Sequence, residues 1–189
     1  MLIRLATSED APGIAAIYEP IVRDTVISFE TEPPDAAEMG RRMAEGLPTY
    51  PWLVATDNGR LVGYAYASRH RVRAAYEWVA EVSVYVDETQ RGRGLGRDLY
   101  RTLLGLLTAQ GFRGVFAGIT LPNPASVGLH ESVGFEYLGK YEGVGWKHGE
   151  WHDVGWWQRR LGTDDGPPLG PIGLDELDVD SILAAYVNS

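Results

Sequence analysis

The residues best suited to chemistry lie close together, between Glu81 and Arg97. The segment at 90–97 reads QRGRGLGR, a turn in which glycines alternate with arginines. Glycine lets backbone N–H groups approach a ligand and allows positive φ angles, whereas arginine offers a planar pair of donors that matches phosphate oxygens. Just upstream, Glu81 is a candidate proton acceptor. These residue types suit a site that binds a phosphorylated ligand beside a general base.

A strand and a helix must position this segment. The apolar residues before the turn alternate at a period of two, which predicts a strand: Val82, Val84 and Val86. The leucines after it recur at spacings of four and three, which predicts a helix: Leu95, Leu99, Leu103 and Leu106. A helix N-terminus adds unpaired N–H donors and partial positive charge. We therefore predict that residues 90–97, called the cradle below, bind a pyrophosphate.

Three ligands suit such a cradle. The segment lacks the Lys-Ser/Thr ending of a nucleotide P-loop, and no acidic residue closes a second parallel strand as a dinucleotide site requires. The spacing Arg91-x-x-Gly94-x-Gly96 resembles the acetyl-coenzyme A signature of the Gcn5-related N-acetyltransferase (GNAT) superfamily. On this pattern alone, a tight strand-to-helix connection with solvated arginines stays open as the alternative.

Composition limits the function classes. The chain has 189 residues, 44% of them hydrophobic, and a net charge of −9, which argues against general binding of nucleic acid. It has no cysteine, so disulfides, thiol nucleophiles and cysteine metal sites are excluded. We see neither a signal peptide nor a stretch of roughly 20 apolar residues that would span a membrane. We expect a cytoplasmic protein with no membrane partner.

The predicted element order is β-α-(α)-β-β-β-α-β-α-β-β, which indicates an α/β domain with a mixed central sheet and helices on both faces. We place this domain at residues 1–162. Residues 163–189 begin with a glycine- and proline-rich stretch that reads as a linker, followed by a short C-terminal tail. The tail carries an amphipathic pattern that either docks on the domain, binds a partner or stays disordered.

Several separate stretches resemble phosphinothricin N-acetyltransferases. They include PWLVA at 51–55, AYEW at 75–78, the cradle, LPN at 121–123, HExxGF at 130–135 and KHGxWHDVGxWQ at 147–158. The resemblance covers about residues 1–160 and implies the GNAT acyltransferase fold, acetyl-coenzyme A (acetyl-CoA) as donor, a small amine as acceptor, and a homodimer. The related enzymes acting on methionine sulfoximine and methionine sulfone are equally similar. The resemblance implies these acetyl-CoA contacts: Val84, Tyr85, Val86, Arg91, Gly92, Arg93, Gly94, Leu95, Gly96, Arg97, Asn123 and Ser126.

Glu81 matches the catalytic glutamate of that family, and its place before the cradle puts it near the thioester of a bound cofactor. We predict that it accepts the proton of the amine; the alternative is a solvated strand glutamate. A bulged or splayed strand at 82–86 would free backbone N–H groups for the thioester. His130 occupies the position where many acetyltransferases of the superfamily carry a tyrosine, and it is a candidate acid for the leaving thiolate; the alternative is a helix histidine packed in the core.

The resemblance implies that the acceptor is a small α-amino acid with a tetrahedral polar end. We predict that Arg73 binds its carboxylate, with Arg71 in reserve, and that Phe29, Glu30 and Tyr76 wall the pocket. A solvated loop arginine is the alternative for Arg73. We predict no metal site, since His148 and His152 lack a supporting pair of carboxylates. The tryptophan-rich final hairpin suits a dimer interface. Rival functions are a coenzyme A-binding sensor, which needs no base, and a protein or peptide N-acetyltransferase, which needs an open groove.

Overall fold

The computed structural model describes residues 1–162 and 169–187, so residues 163–168 of the predicted linker lie outside the described residues. The strands are β1 Leu2–Leu5, β2 Trp52–Asp57, β3 Arg60–Arg69, β4 Val79–Val86, β5 Gly114–Leu121, β6 Glu136–Lys147 and β7 Glu150–Arg160. The α-helices are α1 Ala11–Asp24, α2 Ala36–Gly46, α3 Leu95–Gln110, α4 Pro124–Ser132 and α5 Val179–Val187. The predicted order of elements is confirmed.

The strands form one seven-stranded sheet in the order β1-β2-β3-β4-β5-β7-β6. Neighbours pair antiparallel except for β4 and β5, which are parallel. Helices α1 and α2 cover one face, whereas the leucines of α3 fill a larger core on the other. The four predicted stripe leucines of α3 are all buried. This is the predicted mixed sheet with helices on both faces.

Strands β4 and β5 separate after only three paired positions. Their parallel register ends at Glu81 opposite Phe116. Beyond that point β4 stays paired with β3 as far as Val86, and β5 stays paired with β7 as far as Leu121. A wedge therefore opens between residues 82–86 and 117–121, where the sequence predicts a bulged or splayed strand.

Alternation along β4 divides its side chains between the two faces. Ala80 and Val82 join the core under α3. Tyr85 projects to the other face, where its ring meets those of Tyr18 at 4.9 Å and Tyr64 at 5.2 Å. Glu81 shares the face of Tyr85, so its carboxylate lies on the side covered by α1 and α2.

The segment at 25–29, whose apolar and β-branched composition predicts an extended chain, instead bends back over α1. The Thr25 hydroxyl donates to the Ile21 carbonyl at 2.6 Å and accepts from the Ile27 N–H at 3.1 Å. The Ser28 hydroxyl lies 2.7 Å from the Tyr18 hydroxyl. Such local bonds from hydroxyl side chains compete with a strand ladder, and the β-branched composition did not reveal them.

The C-terminal tail docks on the domain. Leu174 is buried in the α3 core, and the Gln110 amide donates to the carbonyls of Thr49 and Ile172, both at 2.9 Å. The Tyr186 ring lies directly on Gly105 of α3, where no larger side chain has room. Of the three possibilities left open for the tail, the structure shows packing against α3 and β1.

Candidate active site

The cradle adopts the backbone conformation that its glycines allow. Gly92 and Gly94 have φ angles of +75° and +88°, and a side chain on either would meet open space. Gly94 is the N-cap of α3, and the first N–H groups of the helix have no carbonyl one turn earlier to bond with. Leu95 is buried and anchors the turn to the core. The helix N-terminus thus faces solvent with donors available to an anion.

At position 96 a glycine is required by close packing and not by a positive φ angle. A Cβ at this position would lie 3.0 Å from a methyl of Leu129, because α4 packs closely on the start of α3. The arginines of the cradle, Arg91, Arg93 and Arg97, are all exposed. Arg93 donates to the Gln90 side chain at 3.3 Å. Three cations therefore surround the N-terminus of a helix whose dipole also favours an anion.

A cavity of about 550 Å³ runs from the cradle along β4 to α4. Nearly all the residues predicted to contact acetyl-CoA line it: Val84, Tyr85, Val86, Arg91, Gly92, Gly94, Leu95, Gly96, Arg97, Asn123 and Ser126. The remaining one, Arg93, lies in the same turn. Asn123 is the N-cap of α4, and its side chain accepts from the Ser126 N–H at 3.1 Å. The structure therefore brings the predicted contacts together around one cavity.

The wedge between β4 and β5 continues this cavity inwards. The two spaces share Ile27, Val84, Tyr85, Asn123 and Ser126 as lining residues. Tyr100 and His130 also line the wedge. A ligand that extends from the cradle along β4 therefore leads into the sheet, towards Glu81.

His130 is buried, and both of its ring nitrogens are engaged. Nδ1 donates to the Ser126 carbonyl at 2.7 Å, so Nε2 of the neutral ring accepts from the Tyr100 hydroxyl at 2.8 Å. Burial lowers the pKa of His130 and raises that of Tyr100 well above its usual value. The neutral imidazole has no free proton to give, so this pattern supports the core-histidine alternative. The acid role stays a prediction, and Tyr100 carries the proton of the pair.

Glu81 lies where the wedge begins, and its side chain is about one third exposed. His70 Nδ1 lies 3.3 Å from the Glu81 carboxylate. A second cavity, of about 490 Å³, opens on the same face of the sheet and is lined by Tyr18, Arg42, Trp52, Tyr66 and Ser68, among others. Ser68 is the register partner of Glu81 on β3. The second cavity therefore opens on the face of the sheet that carries Glu81, next to its partner strand.

Of the residues predicted to wall the acceptor pocket, Glu30 is held in an ion pair. The Arg42 guanidinium donates to both of its oxygens at 2.8 and 2.9 Å, and the Tyr18 hydroxyl donates at 2.9 Å. The bonds from Arg42 hold the pKa of Glu30 below its usual range. Phe29 packs against the backbone of Gly145 on β6. Glu30 thus stabilises the loop at 25–30 and does not present a free charge.

Arg73 and Tyr76 lie on the exposed connection between β3 and β4. Arg73 precedes a short 3₁₀ turn at Ala74–Tyr76. Arg71 donates to the His70 carbonyl at 2.8 Å and lies 5.9 Å above the Trp156 ring. We use the name acceptor end for the connection at 70–76, the loop at 25–30, Glu81 of β4 and Trp156 of β7. The structure places Arg71 and Tyr76 around His70 and leaves Arg73 in solvent.

Sequence reasoning missed several residues of the site. His70 lies inside the basic stretch RHRVR, which has no apolar periodicity that would indicate a buried ring. Tyr100 follows Leu99 in a helix that the sequence identifies by its leucines. Lys147 is buried and donates to the carbonyls of Val22 at 2.5 Å and Ser28 at 2.7 Å. It therefore pins the loop at 25–30 to β6, although the two segments are more than a hundred residues apart in sequence.

The described residues contain neither a group of metal ligands nor a membrane-spanning helix. Within 1–162 and 169–187, no three or more acidic or histidine side chains are grouped so that they could hold a metal ion. Within the same residues, none of the helices combines the length and the apolar character needed to cross a bilayer.

Comparison with known proteins places the chain in a family. Residues 3–156 match the acetyltransferase (GNAT) domain. The chain is 40% identical over 171 residues to phosphinothricin N-acetyltransferase of Streptomyces viridochromogenes, an alignment that covers 90% of this chain and 93% of that one. It is 38% identical over 171 residues to the L-methionine sulfoximine/L-methionine sulfone acetyltransferase of Pseudomonas aeruginosa, covering 88% and 98% of the two chains.

A solved structure supports the same family assignment. The phosphinothricin acetyltransferase of Sinorhizobium meliloti, in complex with acetyl-CoA, superposes with a TM-score of 0.86 at 39% identity, over 93% of this chain and 96% of that one. The predicted fold and family are therefore confirmed: the chain belongs to the GNAT acetyltransferase family and is similar to its phosphinothricin acetyltransferases.

Proposed function

We propose that this protein transfers the acetyl group of acetyl-CoA to the amine of a small amino acid that carries a tetrahedral polar group, of the phosphinothricin, methionine sulfoximine or methionine sulfone type. The observation that carries the proposal is the wedge, which starts at Glu81 on β4 and leads to the cradle at the end of the same strand. The activities of the similar proteins support the same donor and the same class of acceptor.

The spacing along β4 suits an extended cofactor. Glu81 and Val86 are five residues apart, roughly 17 Å at the usual rise of a strand. A pyrophosphate at the cradle and a pantetheine arm beside β4 would thus bring the thioester near the start of the wedge at Glu81. Backbone N–H groups of residues 82–86 that face away from β3 are available to the arm and to the thioester carbonyl.

The chemistry then needs one proton acceptor and one proton donor. As the amine nitrogen bonds to the carbonyl carbon, the carbon–sulfur bond breaks and Glu81 takes the proton of the amine, directly or through water. The departing thiolate takes a proton from a donor in the wedge. His130 was predicted for this step, and the Tyr100 hydroxyl, which bonds to it, is the proton-bearing member of the pair.

The acceptor approaches from the face opposite α3. The cavity beside Tyr66 and Ser68 provides room for its side chain. We assign Arg73 to the carboxylate because a guanidinium binds it through two parallel hydrogen bonds, and Arg71 remains the reserve. Phe29 and Tyr76 wall the space, and Glu30 acts through the ion pair that holds the loop.

We also propose a homodimer formed through the final hairpin, and a cytoplasmic location, where acetyl-CoA is available. Strand β6 is the edge of the sheet, and exposed edges invite pairing. Large apolar side chains are exposed on this hairpin: Tyr137, Leu138, Tyr141, Val144, Trp146 and Trp151.

Light scattering at micromolar concentration should report a dimer. Trp151→Glu should shift it towards monomer, whereas Leu2→Glu at the opposite edge should not; a monomeric wild type would contradict the proposal.

Release of free thiol from acetyl-CoA in the presence of a panel of amines tests the function. We expect release with methionine sulfone, methionine sulfoximine and phosphinothricin, and little with peptides or simple amines. Binding of acetyl-CoA without turnover on any amine would favour a coenzyme A-binding sensor. Faster turnover of peptides would favour a protein N-acetyltransferase.

We further propose that residues 1–162 form the catalytic domain and that residues 163–189 serve as linker and tail. The docking of the tail on α3, on the side of the sheet away from the acceptor end, supports a stabilising role for it.

A further inference from the structure

The ring of His70 is held in an aromatic cage next to Glu81. His70 follows the last residue of β3, and only 10% of its side chain is exposed. Its ring stacks on Phe116 at 4.4 Å with an interplanar angle of 16°. The rings of Tyr76 and Trp156 meet its edges at 6.3 and 6.1 Å. The orientation of the imidazole is therefore fixed by packing before any substrate binds.

This fixed ring is in contact with the proposed base. Nδ1 of His70 lies 3.3 Å from Oε2 of Glu81. An ionised carboxylate only accepts hydrogen bonds, so the contact requires the proton on Nδ1. With Oε2 occupied by His70, Oε1 is left for an amine or a bridging water.

The cage and the base meet where the wedge begins. Phe116, on which His70 stacks, is the partner of Glu81 in the last parallel pair of β4 and β5. The same pair of residues therefore ends the strand pairing, supports the imidazole and carries the carboxylate. A glutamate side chain rotates about several single bonds, and one that is about one third exposed is not held by packing alone.

We propose that His70 is a positioning residue that holds the Glu81 carboxylate at the start of the wedge, where the amine of the acceptor must lose its proton. The assignment rests on the proposed function, because it gives His70 a role only if Glu81 is the base. General bases act at hydrogen-bond distance from the proton they take, and supporting groups with locked rotamers provide that placement.

Two substitutions separate the hydrogen bond from the packing. His70→Phe keeps a flat ring for Phe116 but removes the donor. His70→Asn keeps a donor, because its amide nitrogen lies as many bonds from the backbone as Nδ1 of histidine. We expect His70→Phe to lower kcat roughly 10- to 100-fold, as misplaced catalytic groups do, with the KM for acetyl-CoA unchanged. His70→Asn should stay close to the wild type.

A double-mutant cycle shows whether His70 acts through Glu81. In the Glu81→Gln background, adding His70→Phe should slow the reaction by no more than about twofold, the usual scatter of independent effects. His148→Asn, on the exposed turn between β6 and β7, is the control and should leave kcat unchanged. Thermal unfolding midpoints verify that each variant is folded.

The outcomes distinguish the two proposals. If Glu81→Gln leaves the rate unchanged, Glu81 is not the base, and the assignment of His70 is overturned as well. If Glu81→Gln is slow but His70→Phe is as fast as the wild type, only the His70 assignment is overturned. Equal losses from His70→Phe in both backgrounds, or a His70→Asn variant as slow as His70→Phe, would also overturn it, because they would show a packing role.

Discussion

The cradle and the acceptor end differ in how much of the chain each one needs. The cradle is a single run of eight residues whose glycines and helix start supply most of what an anion requires. The acceptor end is assembled from the loop after α1, the connection between β3 and β4, and strands β4 and β7. A contiguous site is set by local backbone chemistry, whereas a dispersed one depends on the packing that brings its parts together.

The strongest test of this difference removes the proton acceptor alone. Glu81→Gln keeps the size of the side chain and its place on β4 but cannot take a proton. We expect kcat to fall on the order of 10²–10⁴-fold, with the KM for acetyl-CoA little changed because the cradle is intact. Steady-state kinetics at neutral pH measure both parameters. An unchanged kcat would remove Glu81 from the mechanism.

The next test asks whether the acceptor end recognises a carboxylate. Arg73→Ala should weaken use of the amino acid by about 1.5–3 kcal/mol, the range for a hydrogen bond to a charged group, and should leave the KM for acetyl-CoA unaffected. Wild type and variant are each assayed with methionine sulfone and with its decarboxylated amine. The wild type should prefer the acid, and the variant should lose this preference.

Arg71→Ala is the matched control for that test, since Arg71 lies on the same connection with its guanidinium over Trp156. If Arg71→Ala loses the preference and Arg73→Ala keeps it, the reserve residue binds the carboxylate. A wild type that prefers the simple amine would contradict the amino-acid assignment itself.

A substitution in the cradle should instead impair the binding of acetyl-CoA and leave the use of the acceptor unchanged. Gly96→Val places methyl groups against Leu129, which a Cβ alone would approach at 3.0 Å. The variant should raise the KM for acetyl-CoA about tenfold or more, because α3 must shift away from α4 and misplace the N–H donors. The acceptor KM should change little. Gly40→Ala in α2, where a Cβ would make only an ordinary contact at 3.8 Å, is the control. Normal affinity in Gly96→Val would show that the cradle assignment is wrong.

Sequence reasoning succeeded where the signal was local. The valines of β4, the leucines of α3 and the glycines of the cradle each act through their immediate neighbours, so periodicity and residue type predicted the strand, the helix and the turn. The family resemblance added the fold and the role of acetyl-CoA, both of which the comparisons bear out.

The acceptor end was harder because its contacts are long-range. His70 meets Phe116, a residue 46 positions later, only because β3, β4 and β5 lie side by side. Glu30 was predicted as a pocket wall, but the ion pair with Arg42 depends on the packing of α2 against α1. Neither contact leaves a pattern in the sequence.

The ion pair between Glu30 and Arg42 gives the smallest expected effect, and the pH dependence of stability tests it. Arg42 holds the pKa of Glu30 below its usual range, so the folded state binds the proton less readily than the unfolded chain. The stability that Glu30 contributes is therefore fully present above the ordinary glutamate pKa of about 4.3 and is lost as pH falls through the lower folded value. Glu30→Gln removes the charge at every pH.

We therefore expect urea unfolding to find Glu30→Gln less stable than the wild type at pH 7, with the difference shrinking as pH falls below about 4. At pH 7 the variant should raise the acceptor KM a few-fold, because the loop at 25–30 loses its bonds from Arg42 and Tyr18. The KM for acetyl-CoA should not change.

Glu19→Gln, which removes an exposed ion pair with Arg23 in α1, is the control and should alter stability little. A difference between Glu30→Gln and wild type that stays the same at every pH would show that the ion pair does not hold the loop, and an equal rise in both KM values would show that the two ends are not independent.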